Sequence, residues 1–597
     1  MAETVGATEA METDVKMLTV TINDKEVKVP EGISILDAAM AANIKVPTLC
    51  KHPDLEATGS CGICVVKVEG SKKLIRACCT PVADNMKVIT HDGELYEVRR
   101  TILELILSNH PNECLTCLRN RNCELQQLAE EFGIRKCGFE PMLKKIPIES
   151  STKAVTIAAE KCIGCGRCVR VCHKVQGVYA LEFLNRGFDM RIAPAGDITL
   201  AESPCVKCGQ CSAHCPVGAL VEYSEVEKTW KLLEDDDMHV VAQIAPAVRV
   251  AFGEGFGEDS GEIVTEKLYA LLRRIGFDAV FDTNFGADLT IMEEGSEFIE
   301  KFLYNKASLP LITSCCPAWV DYLEKYYPDL IEHFSTAKSP HEMIGALTKT
   351  YYAEKMGLNP AKIKVVSVMP CTAKKFEVSR MKDMYSSGFQ DVDISLTTRE
   401  LVRMTKSSGI MFETLENEEP DSILGEYTGA GTIFGATGGV MEAALRTVHQ
   451  VVTGKPLENI EVEAVRGLKN VKTATINVGG SDVKVAIAHG LGNVRVLMDE
   501  LRDAKQNNKP TPYDFIEVMA CEGGCIAGGG QPYGVTNTIR KKRTDGMYKD
   551  DKKQSHRMSH ENEHVKKLYE EFLGKPLSEK SHKYLHTHYT ARPLYYK

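Results

Sequence analysis

This 597-residue chain has no apolar run long enough to cross a bilayer, so no spanning helix is expected. Its first residues, Met1-Ala2-Glu3-Thr4-Val5, lack a basic start, an apolar signal core and an Arg-rich amphipathic pattern. Neither export nor organelle import is expected, and the setting read from this is cytoplasmic. There is no Walker A motif. Gly490-Leu491-Gly492, after the strand-like Val483 to Ala488, lacks the third glycine of a dinucleotide-binding turn. NAD(P) or flavin, if used, should therefore sit on another subunit. The excess of acidic over basic residues is small too: a net charge of -10 is mild for this length and argues against nucleic-acid binding.

What the chain has is cysteine, 22 in all. In a secreted protein these would suggest disulfides. Without a signal peptide, and in C-x2-C groups, they read as metal ligands, and soft thiolates so spaced select iron–sulfur or zinc. Cys162-x2-Cys165-x2-Cys168-x3-Cys172 pairs with Cys205-x2-Cys208-x2-Cys211-x3-Cys215-Pro216. Two such runs form the two-cluster bacterial ferredoxin signature, in which each run gives three thiolates to one [4Fe-4S] cluster and its fourth to the other. Zinc would explain isolated pairs but not two runs of four ending in one Cys-Pro. The first run ends Cys172-His173 without proline, which leaves the ligand count unchanged.

The organisation expected is multidomain, α+β followed by α/β. Residues 1–16 form an acidic tail. Residues 17–95 read as strands and turns, with a hairpin signal at Asn23-Asp24 and Ser34 capping a short helix. Their Cys50-x10-Cys61-x2-Cys64-x13-Cys78 set resembles a β-grasp [2Fe-2S] ferredoxin. The first gap is longer than the plant spacing and is similar to that in the large peripheral subunit of respiratory complex I. Cys79 adjoins Cys78; the Arg-Ala-Cys-x-Thr-Pro pattern of those domains selects Cys78. Residues 96–140 read as helical and carry His110-x3-Cys114-x2-Cys117-x5-Cys123. By motif alone this set suits zinc. Its place between two iron–sulfur domains favours a [4Fe-4S] cluster with one imidazole, whose neutral ligand should raise the potential. Cys137 stands alone and is expected to be packed. Residues 141–225 hold the paired clusters, 226–535 a catalytic domain and 536–597 a C-terminal segment.

From about residue 238, strand-like apolar runs alternate with helical patterns, which favours a largely parallel sheet. Three of these runs end in cysteine: Leu309 to Ser314 before Cys315-Cys316, Lys364 to Pro370 before Cys371, and Phe515 to Ala520 before Cys521, with Cys525 four residues on. Sites in open α/β sheets form beyond the carboxyl ends of strands, so three exits would bring five thiols to one crevice.

The segments Thr313-Ser314-Cys315-Cys316-Pro317-Ala318-Trp319, Met369-Pro370-Cys371-Thr372-Ala373-Lys374-Lys375-Phe376-Glu377 and Glu517-Val518-Met519-Ala520-Cys521-Glu522-Gly523-Gly524-Cys525 resemble the three signatures of [FeFe]-hydrogenase. The likeness covers about residues 17–597 and is to the multi-cluster clostridial form and the catalytic subunit of multimeric, bifurcating hydrogenases. Ala318 stands where many members have glycine. The resemblance implies a two-lobed α/β domain around an H-cluster: a [4Fe-4S] cubane sharing a thiolate with a two-iron centre that carries CO, cyanide and azadithiolate. It implies Cys316, Cys371, Cys521 and Cys525 as cubane ligands, with Cys525 bridging, and Cys315 as a free thiol that exchanges a proton with the azadithiolate amine. Lys374 matches the lysine on one cyanide and Ala245-Pro246 the backbone near another. Met369 and Met519 match cavity-lining methionines. Residues 559–587 resemble a segment that two-chain members carry as a small subunit.

In Leu289 to Leu303, Ile291, Gly295, Phe298, Ile299 and Phe302 share one helical face. Glu294 lies at its edge and Glu297 farther round, one i,i+3 step away. Read alone, these are surface glutamates; the resemblance makes Glu294, Ser335 and Glu297 a proton relay from Cys315. The activity implied is the reversible interconversion of two protons and two electrons with H2. Ferredoxin or NAD(P)/flavin-binding subunits would be electron partners, and maturation factors would supply the two-iron centre. A complex-I-like subunit would share residues 17–140 but not the three catalytic segments. An iron–sulfur assembly protein would need neither the front modules nor the full catalytic set. A sensory relative would often lack Cys315.

Overall fold

The computed structural model describes residues 16–380, 384–457 and 459–596; the acidic tail expected over 1–16 lies outside them except for Lys16. The front lobe is a five-stranded sheet. Met17–Ile22 pairs antiparallel with Lys25–Pro30 and parallel with Lys87–Ile89. The tight turn is possible because Asn23 accepts a left-handed φ of 54°. Ser34 and Asp37 close a reciprocal capping box on the helix Ile35–Ala41. The helical stretch expected from residue 96 begins earlier, at Gly93, because Asp92 caps it by accepting from Leu95 N at 2.8 Å. Of residues 96–140, Gly93–Ser108 and Glu124–Glu131 supply the α-helix; the ligand loop between them is irregular.

The paired-cluster domain repeats one device twice. The short helices Arg167–Arg170 and Gln210–His214 each start after a left-handed glycine, Gly166 (φ 70°) and Gly209 (φ 71°). A residue with a side chain there would be strained, and the Gly209 position is also closed by Thr372 Oγ1, 2.3 Å from where a Cβ would sit.

The catalytic domain has two four-stranded sheets. In one, Ala279–Asp282, His239–Ile244, Ile363–Met369 and Ile394–Thr397 run parallel. In the other, Leu311–Ile312, Phe515–Met519 and Ser481–His489 are parallel, and Val471–Val478 adds an antiparallel edge. The parallel strands are apolar on both faces because helices cover both. The strand expected over Leu309 to Ser314 is only Leu311–Ile312: Pro310 has no N–H to pair, and the chain turns away after Thr313 to present Cys315. The 22-residue helix Thr283–Tyr304 joins the lobes. Phe285 and Leu289 pack in the core of the first sheet, Ile291 and Phe298 in that of the second.

The C-terminal segment is tied to this domain by ion pairs from Arg543 to Glu254, Asp551 to Arg446 and Arg592 to Asp321, and by a hydrogen bond between His586 and Glu293. Arg540 in the same segment reaches the front lobe, donating to Asp54 Oδ1 and Oδ2 at 2.9 and 2.6 Å. Both partners are only 4% exposed. Breaking a buried pair leaves an uncompensated charge and costs about 3–5 kcal/mol. Arg540→Met should therefore loosen the front lobe, and calorimetry should resolve a separate early transition absent from the wild type. A single unshifted transition would show that the pair does not hold the lobes.

Candidate functional site

The carboxyl ends of both sheets open onto one cavity with about 80 Å³ of room. Cys371 follows Met369 from the first sheet; Cys316 and Cys521, each a few residues past its strand, come from the second. The lining includes Cys315, Cys316, Cys371, Cys521 and Cys525, with Ala245, Pro246, Met369 and Met519 and the further apolar residues Ala318 and Phe434. Burial pushes these thiols upward, Cys371 to about 12, and Cys525 well above its ordinary value. Four thiolates cannot share so apolar a space without bound positive charge, which a metal cluster supplies. The donor set, four buried thiols plus one, therefore fits a cubane with a free thiol beside it.

Lys374 is the charged group at the wall. Its Nζ donates to Cys315 O at 3.2 Å and to Glu377 Oε2 at 2.7 Å. Burial alone would neutralise it, but the Glu377 carboxylate holds its pKa above the ordinary value. Glu377 also accepts from His341 Nε2 at 2.7 Å. Against its own burial, Lys374 and His341 keep that carboxyl down to about 2. Burial and Lys374 lower His341 to about 4, so it is a neutral imidazole. Sequence reasoning missed this support. Glu377 had a signal, the i,i+3 spacing from Lys374 on one helical turn; His341, on the helix Pro340–Leu347, had none.

Glu294 is 1% exposed on the long helix, and burial pushes its carboxyl up to about 8. One of its oxygens has no hydrogen-bond partner among the described residues, and the nearby Ser335 acts against this upward push. Ser335 Oγ donates to Glu297 Oε2 at 3.1 Å, and Glu297 Oε1 lies 3.3 Å from Lys301, where the row of groups meets solvent. Glu294 and Cys315 are close enough for the carboxylate to raise the thiol further.

The front sites are likewise assembled. Cys64 Sγ and Cys78 Sγ are 3.3 Å apart, and the neighbouring Cys61 and Cys78 hold the Cys50 thiol well below its ordinary value. Cys79, 3.4 Å from Cys78, is exposed. His110 Nε2 is buried without a protein partner and shares a small cavity with Cys114, Cys117 and Cys123. Burial lowers this imidazole to about 4, leaving it neutral and available to a metal. In the paired domain, Cys162 senses Cys215, and Cys172 senses Cys205, so the fourth thiol of each run sits with the other run. Gly164 N, Ala180 N and Lys207 N donate to Cys162, Cys172 and Cys205 sulfurs at 3.4, 3.3 and 3.4 Å, which favours thiolates. Cys208 lies in the wall of the catalytic cavity, so the second cluster abuts the active site. Cys137 Sγ, half-buried, donates to Glu104 O at 3.2 Å.

The ligand set expected from the sequence uses nineteen of the 22 cysteines plus His110 and leaves Cys79, Cys137 and Cys315. Iron analysis and EPR of fully loaded protein should show one [2Fe-2S] cluster, three accessory [4Fe-4S] clusters and the catalytic cluster. Stoichiometric zinc would remove the His110 cluster.

Residues 238–529 match the family described as iron only hydrogenase large subunit, C-terminal domain, and residues 537–592 match iron hydrogenase small subunit. Residues 15–93 match a 2Fe-2S iron-sulfur cluster binding domain. Residues 99–137 match the NADH-ubiquinone oxidoreductase-G iron-sulfur binding region, and 161–219 match a 4Fe-4S dicluster domain. The chain is 48% identical to the NADP-reducing hydrogenase subunit HndD of Solidesulfovibrio fructosivorans, over 96% of this chain and 99% of that one. It is 40% identical to iron hydrogenase 1 of Clostridium pasteurianum, over 96% of this chain and all of that one. A solved variant of the [FeFe]-hydrogenase HydA1 from Chlamydomonas reinhardtii is 40% identical with a TM-score of 0.55, covering 62% of this chain and 100% of the other.

Proposed function

The chain belongs to the iron-only, or [FeFe], hydrogenase family, and from that premise we propose how its residues divide the work. It interconverts H2 with two protons and two electrons, with an H-cluster, one [2Fe-2S] and three accessory [4Fe-4S] clusters as cofactors. The H-cluster, when bound, supplies the redox chemistry of H2 formation and cleavage. Cys316, Cys371, Cys521 and Cys525 hold its cubane. Lys374, kept charged by Glu377 and aimed by His341 through that carboxylate, presents a compact cation to an anionic ligand of the two-iron centre. Ala245, Pro246, Met369 and Met519 exclude water.

Protons pass between solvent and the cavity along Glu297, Ser335, Glu294 and Cys315. The Glu297 carboxyl exchanges with bulk on its Oε1 side and with Ser335 on its Oε2 side, Ser335 Oγ carries the proton by accepting and donating in turn, and Glu294, neutral below about pH 8, delivers to Cys315 Sγ. The observation that carries this reading is the fifth thiol: a cubane needs four, and Cys315 is the one in electrostatic contact with the buried carboxyl. Infrared spectra of loaded protein, recorded beside H2 turnover, test it: CO and cyanide bands with no turnover would break the link between site and activity.

Among the described residues, no helix is long and apolar enough to cross a membrane. Electrons exchange with ferredoxin or with an NAD(P)- and flavin-binding partner subunit. The second is favoured by the 48% identity to a subunit of an NADP-reducing enzyme. It also agrees with Gly490 and Gly492, which do not form a nucleotide turn here. The helix Leu491–Gln506 instead packs on the paired-cluster domain, with Leu491 N donating to Gln176 Oε1 at 3.3 Å. Co-purification from the native host distinguishes the two partners.

A further inference from the structure

One stretch of the chain is more basic than the chain as a whole. Residues 133–191 hold eleven Lys and Arg against five Asp and Glu, on a chain whose net charge is -10. Within this stretch Lys144, Lys145 and Arg186 border an open recess of about 930 Å³, together with the exposed Leu143 and Phe188. Asp189 also lines it, and Arg191 is neutralised by Asp197. Lys144 is held in place: its Nζ donates to Met190 O at 2.7 Å and lies 5.3 Å over the Phe188 ring.

Directly beneath is a cluster loop. The methyl of Met190 lies 2.9 Å from where a Cβ on Gly164 would be, and Phe183 lies 3.1 Å from the same point on Gly166. Gly164 N in turn donates to Cys162 Sγ at 3.4 Å. One layer of side chains therefore separates the recess from the thiolates of the first paired cluster. A rim of cations with no ion-pair partner among the described residues, set around apolar side chains, suits a brief encounter: charge steers the approach, and the small apolar centre allows quick release.

Building on the hydrogenase reading, we infer that this face docks a small acidic electron-carrier protein, which exchanges electrons with the chain at the cluster held by Cys162, Cys165, Cys168 and Cys215. In each encounter the reduced carrier loses one electron, and the [4Fe-4S] cluster gains it. No bond or proton is transferred.

The test uses the loaded enzyme, an acidic two-[4Fe-4S] bacterial ferredoxin as carrier and methyl viologen as a control donor with no protein surface. The variants are the triple changes K144E/K145E/R186E and K144Q/K145Q/R186Q. Stopped-flow reduction of the accessory clusters by ferredoxin needs no H2 chemistry, so it reports docking alone. H2 evolution from methyl viologen reports the hydrogenase reading separately. At low salt the Glu variant should be reduced by ferredoxin at least about tenfold more slowly, within the range electrostatic steering supplies. The Gln variant should fall between, and the wild-type rate should drop steeply with added salt. Both variants should keep the wild-type rate with methyl viologen. An unchanged ferredoxin rate in the Glu variant would overturn the proposal. An equal fall with both donors, or a wild-type ferredoxin rate insensitive to salt, would do so as well.

Discussion

Protein produced without hydrogenase maturation factors will carry its accessory iron–sulfur clusters and evolve no H2. The accessory sites need only iron, sulfide and thiolates, and each is preformed. The paired runs already place each fourth thiol with the opposite run, and the His110 imidazole is buried, neutral and without a protein partner. The catalytic cavity supplies four thiolates and a free thiol, but nothing in it can make CO or cyanide. Its remaining wall is apolar apart from Cys208, Thr283, Lys374 and the neutral His341. Adding a synthetic two-iron precursor to the unmatured protein should restore turnover and bring in CO and cyanide infrared bands together. Wild-type activity in a preparation free of those bands would eliminate the mechanism.

Replacing Cys315 by serine should leave the H-cluster in place and remove nearly all turnover. Cys315 is a neighbour of the ligand Cys316, yet the cubane is complete without it. A serine hydroxyl is far less acidic than a thiol, whose ordinary pKa is about 8.5. Groups in this role contribute about 10²–10⁴-fold. Glu294→Gln should produce a loss of similar size, because the amide keeps the shape and cannot titrate. It should also have an opposite effect on stability. The native carboxyl titrates at about 8 rather than the ordinary 4.5, because burial disfavours its charge. From pH 4.5 to 8 the unfolded chain releases this proton while the native chain retains it, so the wild type loses stability as pH rises through that window. Glu294→Gln should abolish that loss, and the variant's melting temperature relative to wild type should rise from about pH 5 to about pH 8. Wild-type rates in both variants, with CO and cyanide bands intact, would place the proton entry elsewhere. A stability difference that does not change with pH would contradict the buried carboxyl.

The accessory inventory was legible in the sequence because each cluster takes most of its ligands from a short loop. Cys162-x2-Cys165-x2-Cys168 closes around one cluster whatever surrounds it, and the left-handed Gly166 and Gly209 are visible as repeated glycines. The three cysteine exits were legible too, since apolar strand and terminal cysteine adjoin in the chain. The sequence by itself thus determined which chemistry the protein carries. Only the tertiary structure decided that the exits belong to two separate sheets facing one cavity, and that one helix packs into both lobes. Arg540 meets Asp54 across 486 positions. Glu377 bridges His341 and Lys374 by hydrogen bonds to both. Recess and cluster loop are separated by a single side-chain layer. Such pairings depend on which surfaces come together on folding. Burial then turns Glu294 from an ordinary helix glutamate into a neutral acid, while the Glu377 carboxylate keeps the buried Lys374 a cation.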